Sequence, residues 1–226
     1  MKIKIFVIHY KKLIERKQHI LEQFNKLNIT DFEFITLDRD EIDLNHYYPY
    51  FSDNFIHHKA NVAIVASHIM TFSKIANNEN YDAGLIFEDD VFIDDDFNQK
   101  FENCLKQLPQ SYDLLFLGNG CNLHIQKDNI KDDIYVYRKG VEPTNWGGNG
   151  ITRCTDSYLV SKKCAINLCN YIENNVKNNH KINFNTDWWL NDVARFLNLE
   201  GYWAEPTFIT QGTQNGAYQS SYINSY

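Results

Sequence analysis

Leu85-Ile86-Phe87-Glu88-Asp89-Asp90-Val91 is the stretch that decides how this chain is read. An apolar run from Ala83 to Phe87 ends abruptly in three carboxylates. Short apolar runs of this kind read as buried strands. In open α/β sheets the carboxyl ends of the strands form the edge where ligands bind. Three like charges packed at such an edge repel, and burying them is costly unless a cation neutralises them. Ligands that are all oxygen favour Mg²⁺ or Mn²⁺. Taken alone, Glu88, Asp89 and Asp90 read equally as a polar turn or as a metal site. Their place after a strand that itself follows a buried helix favours the metal. The next acids, Asp94, Asp95 and Asp96, read as the cap of a helix start.

Outward from this stretch, strands and helices alternate. Lys2 to His9 reads as a buried strand and Phe32 to Leu37 as a second. Between them, Leu13, Ile14, Ile20, Leu21, Phe24 and Leu27 recur close to helical spacing. Ala60 to Ala76 is apolar nearly all round, as a buried helix is. Phe97 to Leu108 reads as a helix, and Asp113 to Leu117 as another buried strand. In the second half, Tyr135 to Arg138 reads as a strand, and Trp146 to Gly150 as a loop. Ser157 to Val160 reads as a strand entering a helix from Lys162 to about Asn174. Glu173 to Asn185, polar and Asn-rich, reads as a surface loop. Asp187 to Leu197 reads as a helix, Tyr202 to Phe208 as a last strand, and the tail from Thr210 as irregular. This alternation predicts an α/β fold, a mixed central sheet flanked by helices. We expect one domain over residues 1–226, with a ligand-binding half near 1–120 and a second half near 121–226.

The composition removes several function classes. The formal net charge is −7, and no basic stripe of the kind a nucleic-acid binder carries is present. Lys2, Lys4, Lys11, Lys12, Arg16 and Lys17 read as a solvated helix face before they read as a phosphate patch. Aromatic residues make up 15% of the chain, which serves core packing and also suits stacking on sugars and bases. The five cysteines are widely spaced and include no C-x-x-C pair. They read as reduced thiols rather than a disulfide framework or a zinc site. The chain opens on a strand-like run rather than a secretory signal, and its apolar runs are too short to span a bilayer. The expected location is the cytoplasm, or the periphery of a membrane, and the sequon at Asn28 is expected to be unused.

Two further places carry chemistry-bearing side chains. Ser67-His68 lies in the buried helix that precedes the acidic strand; a lone His there is more often a packing residue than a ligand. Asp187 precedes Trp188-Trp189 and reads first as a helix N-cap. It also suits a base that takes a proton from an acceptor hydroxyl. Trp146, Trp188, Trp189 and Trp203 divide between core packing and sugar stacking.

These pieces together resemble glycosyltransferase family 25, which includes bacterial lipooligosaccharide and collagen galactosyltransferases. Val7-Ile8-His9-Tyr10 through Arg16 resembles the family's opening strand and basic helix. Ala66-Ser67-His68 with Phe72 is similar to its Ser-His helix, and Leu85 to Asp90 to its acidic motif. Thr155 to Leu168, Asp187 to Leu190, and Trp203 to Pro206 with Gln211-Gly212 and Ser220-Ser221 resemble its later segments. The resemblance spans nearly the whole chain. It implies a GT-A fold, an inverting mechanism, a UDP-sugar donor, a glycan or glycoprotein acceptor, and Mn²⁺ or Mg²⁺ as cofactor. It implies Asp90 and Glu88 as metal contacts, with Glu88 or Asp89 also toward the ribose. Ser67 and His68 would line the donor pocket, Asp187 would be the base, Gln211 would lie near the diphosphate, and Arg16 would approach a phosphate. The chain departs from the pattern at His9-Tyr10, where the family has Asn-Leu. Its last histidine is His180, so the late histidine ligand of many GT-A enzymes is replaced by water, by Gln211 or by no protein group. A sugar nucleotidyltransferase would want a Gly-rich phosphate loop after the first strand, where this chain has His9-Tyr10-Lys11-Lys12. A non-catalytic carbohydrate-binding module would keep the aromatics and acids but need no Asp187.

Overall fold

A computed structural model describes residues 1–139 and 150–220. The chain begins with strand β1 (Ile3–Ile8), helix α1 (Ile14–Lys26) and strand β2 (Phe32–Ile35). Helix α1 forms because Arg16, Ile20 and Phe24, four residues apart, make one buried stripe. A short helix α2 (Leu44–Tyr47) precedes α3 (Lys59–Asn77), which is buried along most of its length. Strand β3 (Ala83–Glu88) carries the acidic motif, and β4 (Val91–Ile93) follows directly. Then come α4 (Phe97–Gln107), β5 (Leu114–Phe116), a 3-10 turn at Gly120–Asn122 and β6 (Val136–Arg138). Strand β7 (Ser157–Ser161) runs into α5 (Lys162–Lys177), where the Ser161 hydroxyl accepts from the Cys164 amide at 3.1 Å and caps the helix. The described chain ends with α6 (Thr186–Phe196), β8 (Gly201–Ala204), β9 (Ile209–Gln211) and the short helix α7 (Gly212–Asn215).

Seven strands form one mixed sheet in the order β2-β1-β3-β7-β5-β8-β6, and β4 pairs with β9 in a separate ribbon. Strands β1, β2 and β3 are parallel, whereas β7 runs antiparallel to both β3 and β5. Side chains alternate across the sheet. Phe6, Ile86 and Tyr158 face the core covered by α3, α5 and α6. Val7, Leu85, Phe87 and Leu159 face the core covered by α1 and α4. Gly84 on β3 is required by close packing: a Cβ there would lie 2.6 Å from Ile75 Cγ1 of α3. The mixed α/β sheet flanked by helices is therefore the architecture that the strand-helix alternation predicts.

Several details differ from the sequence reading. The Asn-rich segment is helical as far as Lys177, and beyond it Ile182 bridges to Phe51. Asn side chains lower helix propensity, but Ile172 and Leu168 packed on the core outweigh that. The last sheet strand stops at Ala204, ahead of the cis Glu205-Pro206 bond, and Ile209 starts a new strand beside β4. The tail is thus ordered through β9 and α7. Asp96 sits at the N-cap of α4 without a side-chain capping bond; Asp94 and Asp96 instead meet Lys100 at 2.7 and 2.9 Å. The loop read at Trp146 to Asn149, and Ser221, lie outside the described residues.

Candidate active site

Register places the acidic motif where β1 and β3 end together, with Ile8 opposite Glu88. The chain after β1 turns past His9 and Tyr10 into α1, and that turn closes on the motif. Asp89 is 6% exposed, and its carboxylate is held from three sides. His9 Nδ1 lies 2.8 Å from Asp89 Oδ2, the Tyr10 amide donates to the same oxygen at 3.2 Å, and Arg16 donates to Oδ1 at 3.1 Å. A carboxylate only accepts, so His9 Nδ1 carries the proton here. Asp89 thus spends its lone pairs on protein donors, and this pulls Arg16 off the solvated face expected of the basic cluster. Nor do the lysines of that cluster form one helix face: Lys4 lies on β1, while Lys11 and Lys12 lie in the turn before α1, where Lys11 meets Asp38 and Glu41 and Lys12 meets Asp40.

Asp90 differs from its neighbour. Its Oδ2 accepts from the Thr213 hydroxyl at 2.7 Å and the Thr213 amide at 3.3 Å, while Arg16 lies 3.9 Å away. Its Oδ1 is buried and has no hydrogen-bond partner. Burial holds the Asp90 carboxyl above its usual range despite the Thr213 contacts. Glu88 accepts from the Thr155 hydroxyl at 3.0 Å, and its carboxyl is also raised, by burial first and by the Asp90 charge second. Two carboxyls that each resist ionising beside the other need a proton or a cation. Glu88 and Asp90 therefore fit a hard divalent ion as two oxygen ligands, the remaining positions falling to water or phosphate oxygens. Among the described residues no group of three or more His, Cys, Asp or Glu side chains is gathered closely enough to hold a metal by itself.

Ser67 and His68 are both buried on α3. The Ser67 hydroxyl donates to the Ala63 carbonyl at 2.8 Å, and the residue lines the cleft above the acids. His68 Nδ1 lies 2.8 Å from the Tyr158 hydroxyl, and Nε2 lies 3.5 Å from Glu88 Oε1 without a hydrogen bond. Burial drives the His68 pKa down to about 3, so the ring is neutral and its approach to Glu88 is not an ion pair. Asp187 sits in the first turn of α6, whose N-cap is Asn185 rather than Asp187. Burial raises its carboxyl above the usual range, partly offset by backbone amides of the helix start. Its charge acts on both His68 and Glu88, which places the three in one electrostatic neighbourhood.

Ile8, His9, Tyr10, Arg16, Arg39, Ser67, Glu88, Asp89, Asp90, Gln211, Thr213 and Ser220 line one cleft. Six of the expected site residues, Arg16, Ser67, Glu88, Asp89, Asp90 and Gln211, therefore meet at one place. His68 lies just behind, and Asp187 lies outside the lining. Gln211 accepts from Gln214 Nε2 at 2.6 Å. His180 belongs to a different hollow, beside Tyr50, Ile172 and Trp189. Of the tryptophans, Trp189 and Trp203 are core, whereas Trp188 is 57% exposed next to Asp187.

Three side chains at the site had no role in the sequence reading. Thr213 falls in a tail whose sequence reads as irregular, and His9 stands out in the sequence only as a departure from a pattern. Asp156 is 1% exposed, and its backbone carbonyl accepts from the Glu88 amide at 2.8 Å. Its carboxyl is pushed up to about 7, by burial first, then by the charges of Glu88 and Asp90, against a lowering contact from Ser157. Only the polar-apolar break at Asp156-Ser157-Tyr158 marks it in the sequence.

The profile of glycosyltransferase family 25, described as LPS biosynthesis protein, matches residues 2–186. That is most of the chain, and it takes in every cleft acid while stopping one residue before Asp187. The chain is thus of the glycosyltransferase class, an enzyme that passes a sugar from a donor to a glycan acceptor. It belongs to glycosyltransferase family 25. No curated protein matches the chain. Among solved structures it is similar to A197 from STIV, at 14% identity and TM-score 0.43, covering 92% of this chain and 83% of that one. It is also similar to a glycosyltransferase involved in glycosylation of the major capsid of PBCV-1, at 10% identity and TM-score 0.39, covering 93% and 92%. A third is the CTP:phosphocholine cytidylyltransferase LicC from Streptococcus pneumoniae, at 12% identity and TM-score 0.41, covering 93% of each chain. Likenesses this distant carry no argument about chemistry. Among the described residues no helix is long and apolar enough to cross a membrane.

Proposed function

We propose that this protein is an inverting, metal-dependent glycosyltransferase of GT-A type that moves a hexose, galactose or glucose, from a UDP-sugar to a hydroxyl of a glycan or glycoprotein. The observation that carries the reading is the pair Glu88 and Asp90. Two carboxyls with raised pKa values, Asp90 buried and Glu88 part-buried, stand at a cleft wall, one with an oxygen that no protein group satisfies. Buried unsatisfied polar atoms are rare and mark functional places.

In this reading Glu88 and Asp90 hold Mn²⁺ or Mg²⁺, which when bound offsets charge on the departing diphosphate. Arg16, fixed by Asp89 and reaching the cleft, supplies a second positive charge toward the phosphates. Ser67 and the apolar side chains of α3 shape the donor pocket, with neutral His68 packed against Glu88. Gln211 and Thr213 close the other side. Asp187 accepts the proton of the acceptor hydroxyl, whose oxygen forms the new bond to the anomeric carbon as the bond to the diphosphate breaks. Its raised pKa suits that role, since a base works best near the operating pH. The exposed indole of Trp188 beside it offers a face for an acceptor sugar.

The test is a panel of nucleotide sugars incubated with the protein and Mn²⁺ or Mg²⁺, with release of free nucleotide as readout. Slow hydrolysis of one UDP-hexose, lost on chelation and in Asp90→Ala, is expected. Turnover that persists undiminished in chelator and in Asp90→Ala refutes the metal-dependent mechanism.

A further inference from the structure

The cysteines, scattered in sequence, are not scattered in space. Cys121 and Cys154 lie 33 residues apart, yet their sulfurs are 3.2 Å from each other. The chain is shaped to allow this. Cys121 sits in the 3-10 turn after β5 with φ 53°, and Cys154 precedes β7 with φ 57°. Gly120 lets the two segments touch: a Cβ there would stand 2.6 Å from Cys154 Cβ and 2.5 Å from the Arg153 carbonyl. Gln214 spans the pair, its Nε2 3.7 Å from Cys121 Sγ and 3.9 Å from Cys154 Sγ, while its Oε1 accepts from the Cys121 amide at 2.6 Å. Cys121 is exposed and Cys154 half-buried, whereas Cys104 and Cys164 are buried.

We propose that Cys121 and Cys154 are a reversible oxidation site, joined as a disulfide by exchange with a low-molecular-weight disulfide. A sulfur-sulfur bond is about 2.05 Å long, so closing the pair needs only a shift of about 1 Å between segments already in contact. The order of events follows exposure. The Cys121 thiolate, open to solvent, attacks one sulfur of the small disulfide and releases one thiolate from it. Cys154 then gives its proton to water and attacks Cys121 Sγ, expelling the second small thiol. The protein loses two protons and two electrons, and the small disulfide is reduced to two thiols. Burial and the Asp156 charge raise the Cys154 thiol, so it serves as the resolving rather than the attacking group.

The site is placed to matter. Thr155, next to Cys154, donates to Glu88, and Gln214 follows Thr213, which donates to Asp90. The bridge would tie the turn at Gly120–Asn122 to the segment whose Thr155 donates to Glu88.

The test uses the full chain, kept native, incubated with oxidised glutathione, then acid-quenched, alkylated and mapped by mass spectrometry. The expected product is lighter by two hydrogen atoms, alkylates at three of its five cysteines, and contains a Cys121–Cys154 linked peptide that dithiothreitol reverses. Its melting temperature is expected to rise by several degrees, because the bridge restricts the unfolded chain. Cys154→Ser is expected to stop at a glutathione adduct on Cys121 without that rise. A stable adduct on Cys121 in the unsubstituted protein, a link through any other cysteine, or five thiols still free would overturn the proposal.

Discussion

Removing the carboxylate of Asp89 tests how the cleft is held together. Its three donors come from the turn after β1 and from α1, so this one side chain ties that turn to the end of β3. Arg16 is 7% exposed, His9 3% and Asp89 6%. The pair is therefore little screened by water. Asp89→Ala leaves a buried guanidinium and a ring N–H without their acceptor, and breaking a buried pair from one side costs about 3–5 kcal/mol. At about 2–4 °C per kcal/mol for a domain of this size, the melting temperature falls by roughly 6–20 °C. Urea unfolding followed by tryptophan fluorescence and circular dichroism reads the loss directly. The double variant Asp89→Leu with Arg16→Met is expected to be less destabilised than Asp89→Ala, because no charge is left alone. If Asp89→Ala costs under about 1 kcal/mol, the contact behaves like an exposed ion pair and the tie described here is wrong.

Asp187→Asn is expected to lower the rate of sugar transfer by about a hundred- to ten-thousand-fold while leaving the circular dichroism spectrum unchanged; an unaffected rate removes it from the mechanism. Phe87→Ala empties a fully buried position on β3 against Phe24 and Phe97, and a loss of about 3–5 kcal/mol in urea unfolding is expected. Asp156 gives a pH signature. Its pKa rises from the ordinary carboxylate value of 3.8 to about 7 on folding, so the folded state holds the proton more tightly. The stability this lends is present below about pH 4 and is lost as pH climbs toward 7. Over that window it amounts to roughly 4 kcal/mol. In chelator, urea midpoints measured from pH 4 to 8 are expected to fall less steeply for Asp156→Asn than for the unsubstituted protein; parallel curves would refute the assignment.

The fold was legible because its signals are local. Apolar runs such as those of β1 and β3, and the buried stripe of α1, need no long-range information to be seen. The acidic motif was legible for the same reason, since three carboxylates closing an apolar strand are unusual wherever they fall. Residues whose place is set by tertiary packing were not. Nothing in the sequence around Thr213 shows that it returns to Asp90, and the strand pairing of β4 with β9 joins segments more than a hundred residues apart. Arg16 reads in the sequence as one member of a basic cluster, but its burial depends on Asp89. Likewise the closeness of Cys121 and Cys154 follows from β5 and β7 being neighbours in the sheet, which residue spacing alone does not reveal.

Calorimetric titration of uridine diphosphate with and without Mn²⁺ reaches the core of the account most directly. The unsubstituted protein is expected to bind the nucleotide at least about tenfold more tightly with the metal present, and Asp90→Asn is expected to erase that difference. Equal affinities with and without metal, or an enhancement that survives Asp90→Asn combined with Glu88→Gln, would contradict it.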